Sequence, residues 1–542
     1  MRTDSPQPPS RSRRAVLGAG AAVVGGGLLA ACAGDRSGRL DGADVLVDAK
    51  NGMPHDGASD SFVSPDGPEV IAAEKKRHTD GTVRKFKLTA AATELDLGGR
   101  TVRTWAYGDE LPGKEVRVTA GDTLQLKVAN HLPAYTTVHW HGLVLRNDMD
   151  GVPGITQRPI KPGASFTYEF ATPSPGTYWM HPHVGVQIDR GLYAPLIVDD
   201  PKEPLSYDKE WIVMVDDWVD GVDGSTPDSV LAELNRGRGG SSGHGSMDHG
   251  ETGPGGAEPA KPAVAGPPRM LRGARSRLLG GHAGDVDYPY HLINGCTPED
   301  PRIFQAKPGD RIRIRFINAG GETAYRVALG GHSMTVTHTD GHPVEHATTD
   351  ALLIGMSERY DVLVTAKDGV FPLTALAEGK NRTALAVLRT GGGEAPGPTT
   401  RPKDLDGKLL TAGDLKAAES VRAQSRGIDR TIDFHLTGNM RKYNWAINGR
   451  PYTPSQRYPV AAGERVRLTF HNRSPMFHPM HLHGHTFALP DGGPRKDTLN
   501  VLPGNRVSVD LDADNPGLWM LHCHNIYHSE SGMMTILGYL KK

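Results

Sequence analysis

The sequence predicts an all-β protein of three tandem β-sandwich domains, and three observations carry that expectation. The first is length: 542 residues, at roughly 150 per domain, make three or four domains with ample chain to bury several cores. The second is composition: 67 glycines and 41 prolines against 6% aromatic residues fit turn-rich β domains better than helical bundles. The third is an internal repeat. Gly121-Asp122, Gly309-Asp310 and Gly463-Glu464 are each followed, nine residues after the glycine, by an asparagine: Asn130, Asn318 and Asn472. Between glycine and asparagine, apolar and polar residues alternate, the period-two signature of a half-buried strand. Ile293-Asn294-Gly295 and Ile447-Asn448-Gly449 stand fourteen residues before the second and third repeat glycines, so these domains share a register.

Taken in order, the chain opens with an address. Arg13-Arg14 precede an uncharged apolar run, Ala15 to Ala31, of 17 residues, which reads as an export signal and is short for a membrane span. The twin arginine resembles signals of the pathway that exports folded proteins. Leu29-Ala30-Ala31-Cys32 resembles a bacterial lipoprotein cleavage box, in which Cys32 becomes the acylated first residue. Residues 1–32 are thus expected to be a twin-arginine-type signal with a lipobox. Residues 33–80, rich in Gly, Asp, Ser and Pro, are expected to be a flexible tether. The protein is then placed outside the cell, lipid-anchored on the outer face of the cytoplasmic membrane, in the periplasm or cell envelope. The three sandwiches fall at 81–200, 205–392 and 427–542. A flexible insert lies at about 235–269, holding His244, Met247, Asp248 and His249, and a linker at 393–426. Lys+Arg 61 against Asp+Glu 62 leaves no basic field for nucleic acid. Three cysteines, Cys32, Cys296 and Cys523, are too few for a disulfide scaffold, and Cys296 reads as a packed thiol.

Histidines carry the chemistry. His139-Trp140-His141-Gly142 begins nine residues after Asn130, and His481-Leu482-His483-Gly484 begins nine after Asn472, whereas the middle domain has Val327 and Leu329 there. His181-Pro182-His183 begins five residues after Gly176, and His522-Cys523-His524 five after Gly517. On a strand, residues i and i+2 share a face, so each pair aims two imidazoles at one point and eight can line a cleft shared by the outer domains. Zinc ordinarily takes four ligands at one closed tetrahedral site; eight imidazoles with no carboxylate in the motifs suit a cluster of copper ions. The third domain adds Cys523 between two of these histidines, His528 and Met533 five and ten residues on, and His478 three before His481. Two imidazoles, a thiolate and a thioether are the ligand set of a blue copper electron-transfer centre. The first domain has Thr136, Pro182, Gln187 and Leu192 at those places, so one such centre is expected.

Together these motifs resemble the four copper-binding motifs of the three-domain multicopper oxidases, the group that holds laccases and bacterial cuprous oxidases, over nearly all of residues 81–542. The resemblance implies cupredoxin-like Greek-key domains and four copper ions. One type 1 ion would sit on His478, Cys523 and His528 with Met533 axial, and one type 2 ion on His139 and His481. Two type 3 ions would sit on His141, His181 and His524 and on His183, His483 and His522. Electrons would enter at the edge of His478 or His528, pass through Cys523 to His522 and His524, and reduce O2 to water. Asp150, in Asn147-Asp148-Met149-Asp150-Gly151, resembles the family's proton-feeding carboxylate, against a plain reading as a turn aspartate. The chain departs from several relatives at Ser529, where a glutamate is common, with Glu530 one place further on. The axial thioether, the export signal and the tether point to Cu(I) as reductant, for copper tolerance. The alternative is a laccase-like oxidase of small aromatic reductants, phenols and aromatic amines, which needs an open cavity beside His478 and His528. A non-catalytic copper-binding relative would lack ligands, and none is missing. Met149, Met476 and Met480 read as core residues, and the chain is expected to be a monomer.

Overall fold

The computed structural model describes residues 61–77, 81–236 and 266–541. The export signal with Cys32, and most of the insert, lie outside these residues. Each domain folds as two facing β-sheets: two of four strands in the first, two of six in the second, and one of six with one of five in the third. The repeat supplies the same strand each time: Thr123–His131, Arg311–Asn318 and Arg465–Asn472. Each runs parallel to its domain's leading strand, Val83–Asp96, Lys209–Trp218 or Arg430–Thr437. On its other side each pairs antiparallel with Ser165–Ala171, Arg359–Thr365 or Arg506–Asp512.

The residues that spell the repeat are the ones that make these strands start and stop. Gly121, Gly309 and Gly463 have φ of 99°, 91° and 94°, a left-handed turn that suits glycine. The acidic residue after each glycine closes the turn by accepting a backbone N–H three residues back, from Thr119, Lys307 and Ala461 at 3.0, 2.8 and 2.9 Å. At the far end Asn130, Asn318 and Asn472 accept the N–H of Leu132, Gly320 and Ser474 at 2.9, 3.0 and 2.9 Å. Their amides donate to two carbonyls each, for Asn472 those of Met476 and Val501. One buried side chain thus satisfies three backbone groups where the strand ends, so the chain leaves it at the same angle three times.

Three expectations need correction. The tether does not run to residue 80: Pro68–Arg77 is a helix, and Phe62, Val63 and Val70 are buried. Val63 donates to the Tyr539 carbonyl, Glu74 accepts from Ala171 N–H at 2.7 Å, and Arg77 donates to Asn515 at 2.5 Å. Only Val70 and Glu74 of the helix are buried, so it leaves no apolar stripe to read; tertiary contacts hold it. The linker 393–426 is packed, with Leu405, Leu410, Leu415 and Ala417 buried and Leu409–Leu410 added as an edge strand beside Ala351–Ile354. The insert is narrower than 235–269, because the helix Pro227–Arg236 extends through its start and Arg269 is buried, donating to Ser225 Oγ at 2.9 Å. Among the described residues no helix is long and apolar enough to cross a membrane.

Candidate metal centres

Four strands bring the histidines together. His139–His141 lies beside Gly176–His181, with His139 directly opposite His181. In the third domain His478–Leu482 lies beside Leu518–Cys523, with His481 opposite His522. The equivalent middle-domain pair sets Val327 against Ala375 and Leu329 against Leu373, all buried in that domain's core. The same two-strand element is therefore a ligand platform twice and a hydrophobic core once.

All eight paired histidines converge. His141, His181 and His524 have ring centroids 5.0 to 5.8 Å apart. His183, His483 and His522 lie 5.0 to 5.1 Å apart, and His139 and His481 lie 5.8 Å apart. The rings also crowd across these sets, His139 with His483 at 3.7 Å and His141 with His481 at 3.8 Å, so the eight form one continuous nest. The hydrogen bonds then fix which nitrogen of each ring is free. A carbonyl can only accept, so Nδ1–H of His139, His181, His481 and His522 donates to the carbonyls of Asp150, Pro182, Asp497 and Cys523 at 2.8 to 3.0 Å. Nδ1 of His483 meets Asp150 Oδ2 at 2.9 Å. Each of these rings is left with a lone pair on Nε2. His483 Nε2 and His522 Nε2 face each other at 3.1 Å, two acceptors with no proton between them. Nε2 of His139, His181 and His481, Nδ1 of His141 and both nitrogens of His524 are buried without a protein partner. Burial holds His141, His181, His483, His522 and His524 well below the ordinary imidazole value, and His183 at about 3. A nest of neutral imidazoles with inward lone pairs is a cation site, and its all-nitrogen donor set suits copper.

The second centre is separate. Cys523 Sγ lies 3.6 Å from His478 Nδ1 and 3.8 Å from His528 Nδ1, and the outer nitrogens of those rings are taken by Ser474 Oγ at 2.7 Å and Asp285 Oδ2 at 2.9 Å. Met533 is buried; its carbonyl accepts Cys523 N–H, and its N–H donates to the His528 carbonyl, which keeps it against both ligands. Trp445 packs against His528 with ring centroids 4.1 Å apart and planes tilted by 36°. Burial pushes the Cys523 thiol up, so a bound cation must stabilise the thiolate that the donor set requires. Ser529, at the departure from the relatives, places its Oγ 3.4 Å from His522 Nδ1. Burial raises the carboxyl of Glu530, next in the chain, to about 7. Cys296 is half-buried and unpaired.

Asp150 is fully buried between the outer domains, with its carboxylate on His483 as above and 3.2 Å from His139. Four contributors were not legible in the motifs. Asp497 accepts from His141 Nε2 at 3.1 Å while its carbonyl takes His481. Arg359 holds Asp497 with two nitrogens at 2.8 and 2.5 Å. Burial would raise the Asp497 carboxyl, yet Arg359 beside it holds it well below the usual carboxylate range. Asp285 and Ser474 orient the two histidines beside Cys523. None of the four sits in a repeat; Asp497, Arg359 and Asp285 meet their partners 356, 138 and 243 residues away, so spacing carries no signal for them, and Ser474, four residues before His478, belongs to no ligand motif.

Multicopper oxidase family models match residues 89–203, 274–393 and 426–539, one per domain. The chain is 46% identical to multicopper oxidase MmcO of Mycobacterium tuberculosis over 98% of this chain and 97% of that one. It is 29% identical to a copper resistance protein A homolog of Pseudomonas syringae pv. tomato, over 83% and 91%. The multicopper oxidase structure from Pseudomonas thermotolerans superposes with a TM-score of 0.63 at 26% identity, over 85% of this chain and all of that one. The chain belongs to the multicopper oxidases, copper-dependent oxidoreductases built from cupredoxin-like domains.

Proposed function

We propose that this protein holds four copper ions and couples four one-electron oxidations to the reduction of O2 to two waters, with Cu(I) as its reductant in copper tolerance. The observation that carries the reading is the pair of centres joined through consecutive residues: Cys523 of one lies between His522 and His524 of the other. In this reading the type 1 ion is held by His478, Cys523, His528 and Met533, and the type 2 ion by His139 and His481. The type 3 ions are held by His141, His181 and His524 and by His183, His483 and His522. Copper held there supplies one-electron oxidation at the cysteine site and O2 reduction at the histidine cluster. The chain's own part is to bury both sites, to fix each ring's tautomer, and to keep a carboxylate where protons are needed. Asp150, touching His139 and His483, is placed to hold a proton and release it toward the cluster. Asp150→Ala should slow O2 uptake while the blue colour stays; an unchanged turnover number refutes the relay.

The name of the Pseudomonas syringae relative, a copper resistance protein, supports a role in copper tolerance. The twin arginine and lipobox support export and anchoring through Cys32 to the outer face of the cytoplasmic membrane, with the protein working there as a monomer. Cys32→Ala should move it from the membrane fraction to the soluble one, and a variant still membrane-bound would end the anchor proposal.

A second reading, oxidation of phenols and aromatic amines, is favoured by a cavity of about 750 Å³ lined by Arg272, His282, Gly284, Met440, Lys442 and Pro475 among others. Its lining residues Gly284 and Pro475 adjoin Asp285 and Ser474, the partners of His528 and His478, and its volume suits a small organic ligand. The deciding test is O2 uptake by the copper-loaded protein, comparing kcat/KM for Cu(I) with that for a bulky methoxyphenol. A preference for Cu(I) supports the first reading, and a preference for the phenol the second.

A further inference from the structure

The trinuclear cluster is written entirely in the sequences of the outer domains, yet one buried side chain of the middle domain reaches it. Arg359 opens the strand Arg359–Thr365 and is fully buried. Its guanidinium donates to both carboxylate oxygens of Asp497 in the third domain, to the Thr177 carbonyl of the first at 3.1 Å, and to the Ser357 carbonyl of its own at 3.1 Å. Its backbone N–H is fixed by Asp340 Oδ1 at 2.9 Å, and Asp340 is in turn held by Lys496 at 3.0 Å. The guanidinium also explains a motif residue. A Cβ on Gly142, directly after His141, would come 2.3 Å from Arg359 Nη2 and 2.7 Å from Asp497 Oδ2; the glycine leaves room for the ion pair against the ligand strand.

What the pair holds is specific. Asp497 receives Nε2–H of His141 on its carboxylate and Nδ1–H of His481 on its carbonyl. His141 is thereby turned so that Nδ1 faces the cluster, whereas its neighbours present Nε2. A carboxylate fixed by two parallel N–H···O bonds has neither rotational nor lateral freedom, and ring orientation follows from it. We propose that Arg359 is a positioning residue for the trinuclear centre, setting His141 and His481 through Asp497 and leaving the cysteine centre alone. The proposal rests on the copper assignment above.

The test uses the full-length copper-loaded protein and three variants. Arg359→Met removes the fork, Arg359→Lys keeps the charge without the fork, and Arg313→Met removes another buried arginine of the same sheet, which pairs with Asp361 and Glu203 and does not touch Asp497. Arg359→Met should shift the type 2 copper EPR hyperfine pattern and lower O2 turnover about 10- to 100-fold, with the blue absorption unchanged. Arg359→Lys should recover part of the turnover and an intermediate spectrum, and it remains informative if the methionine variant fails to fold. Arg313→Met should leave the type 2 spectrum as in the parent. The proposal falls if both Arg359 variants keep the parental type 2 spectrum, or if Arg313→Met shifts it equally, which marks a merely structural role. A parent protein with blue absorption but no type 2 signal would instead overturn the copper assignment, and the proposal with it.

Discussion

Asp150 and Asp497 occupy matching places in the two outer domains. Each offers its backbone carbonyl to the first histidine of its own domain's His-x-His pair, His139 or His481, and its carboxylate to the second histidine of the other domain's pair, His483 or His141. The hydrogen-bond plan is a pseudo-twofold exchange across the cleft. The charges around it are not. Asp497 is gripped by Arg359, whereas among the described residues no lysine or arginine pairs with Asp150, whose ion-pair partners are His139 and His483. One carboxylate is anchored and the other is not, so equal geometry serves unequal roles: a fixed anion on one side and the proposed proton carrier on the other.

This asymmetry can be broken by deleting each carboxylate in turn and following denaturant unfolding of the copper-free chain. Asp497→Ala takes the bidentate partner from the buried Arg359 and leaves it only Asp340, 3.5 Å away and shared with Lys496, so its cost should be the larger, about 3–5 kcal/mol. Asp150→Ala strands no cation and leaves only imidazole donors short of a partner, a loss of about 1–3 kcal/mol. Equal losses would show that the two environments do not differ as their contacts imply. The comparison sharpens when set beside turnover, where both variants should be slow, and Asp150→Ala is the one expected to stay stable enough to assay and blue.

The sequence made the repeated parts of this molecule legible and left the unique parts silent. The glycine–acid–asparagine repeat located the same strand in three domains because each letter does a fixed backbone task, as the three hydrogen bonds of Asn472 show. The His-x-His pairs were legible because strand alternation aims them without help from elsewhere. Asp285, Arg359 and Asp497 act across domain boundaries, and nothing local marks an aspartate that will meet a histidine hundreds of residues away; Ser474 is local to His478, but no motif marks it. The helix Pro68–Arg77 escaped for a related reason. Its residues carry no amphipathic stripe, and contacts such as Glu74 with Ala171 N–H exist only once the domains have formed.

Among its described residues the middle domain gives no side chain to either cluster of metal-binding groups, yet it touches a residue of each site, Asp285 on His528 and Arg359 on Asp497. The spacing between the centres is therefore gauged twice, once by the short run His522-Cys523-His524 and once by the middle-domain sheet that holds both Arg359–Thr365 and Tyr290–Ile293, the strand that follows Asp285. A splint of that kind turns an apparently dispensable domain into a ruler. Grafting the two outer domains together without it would transplant every donor atom and lose the jig that sets them.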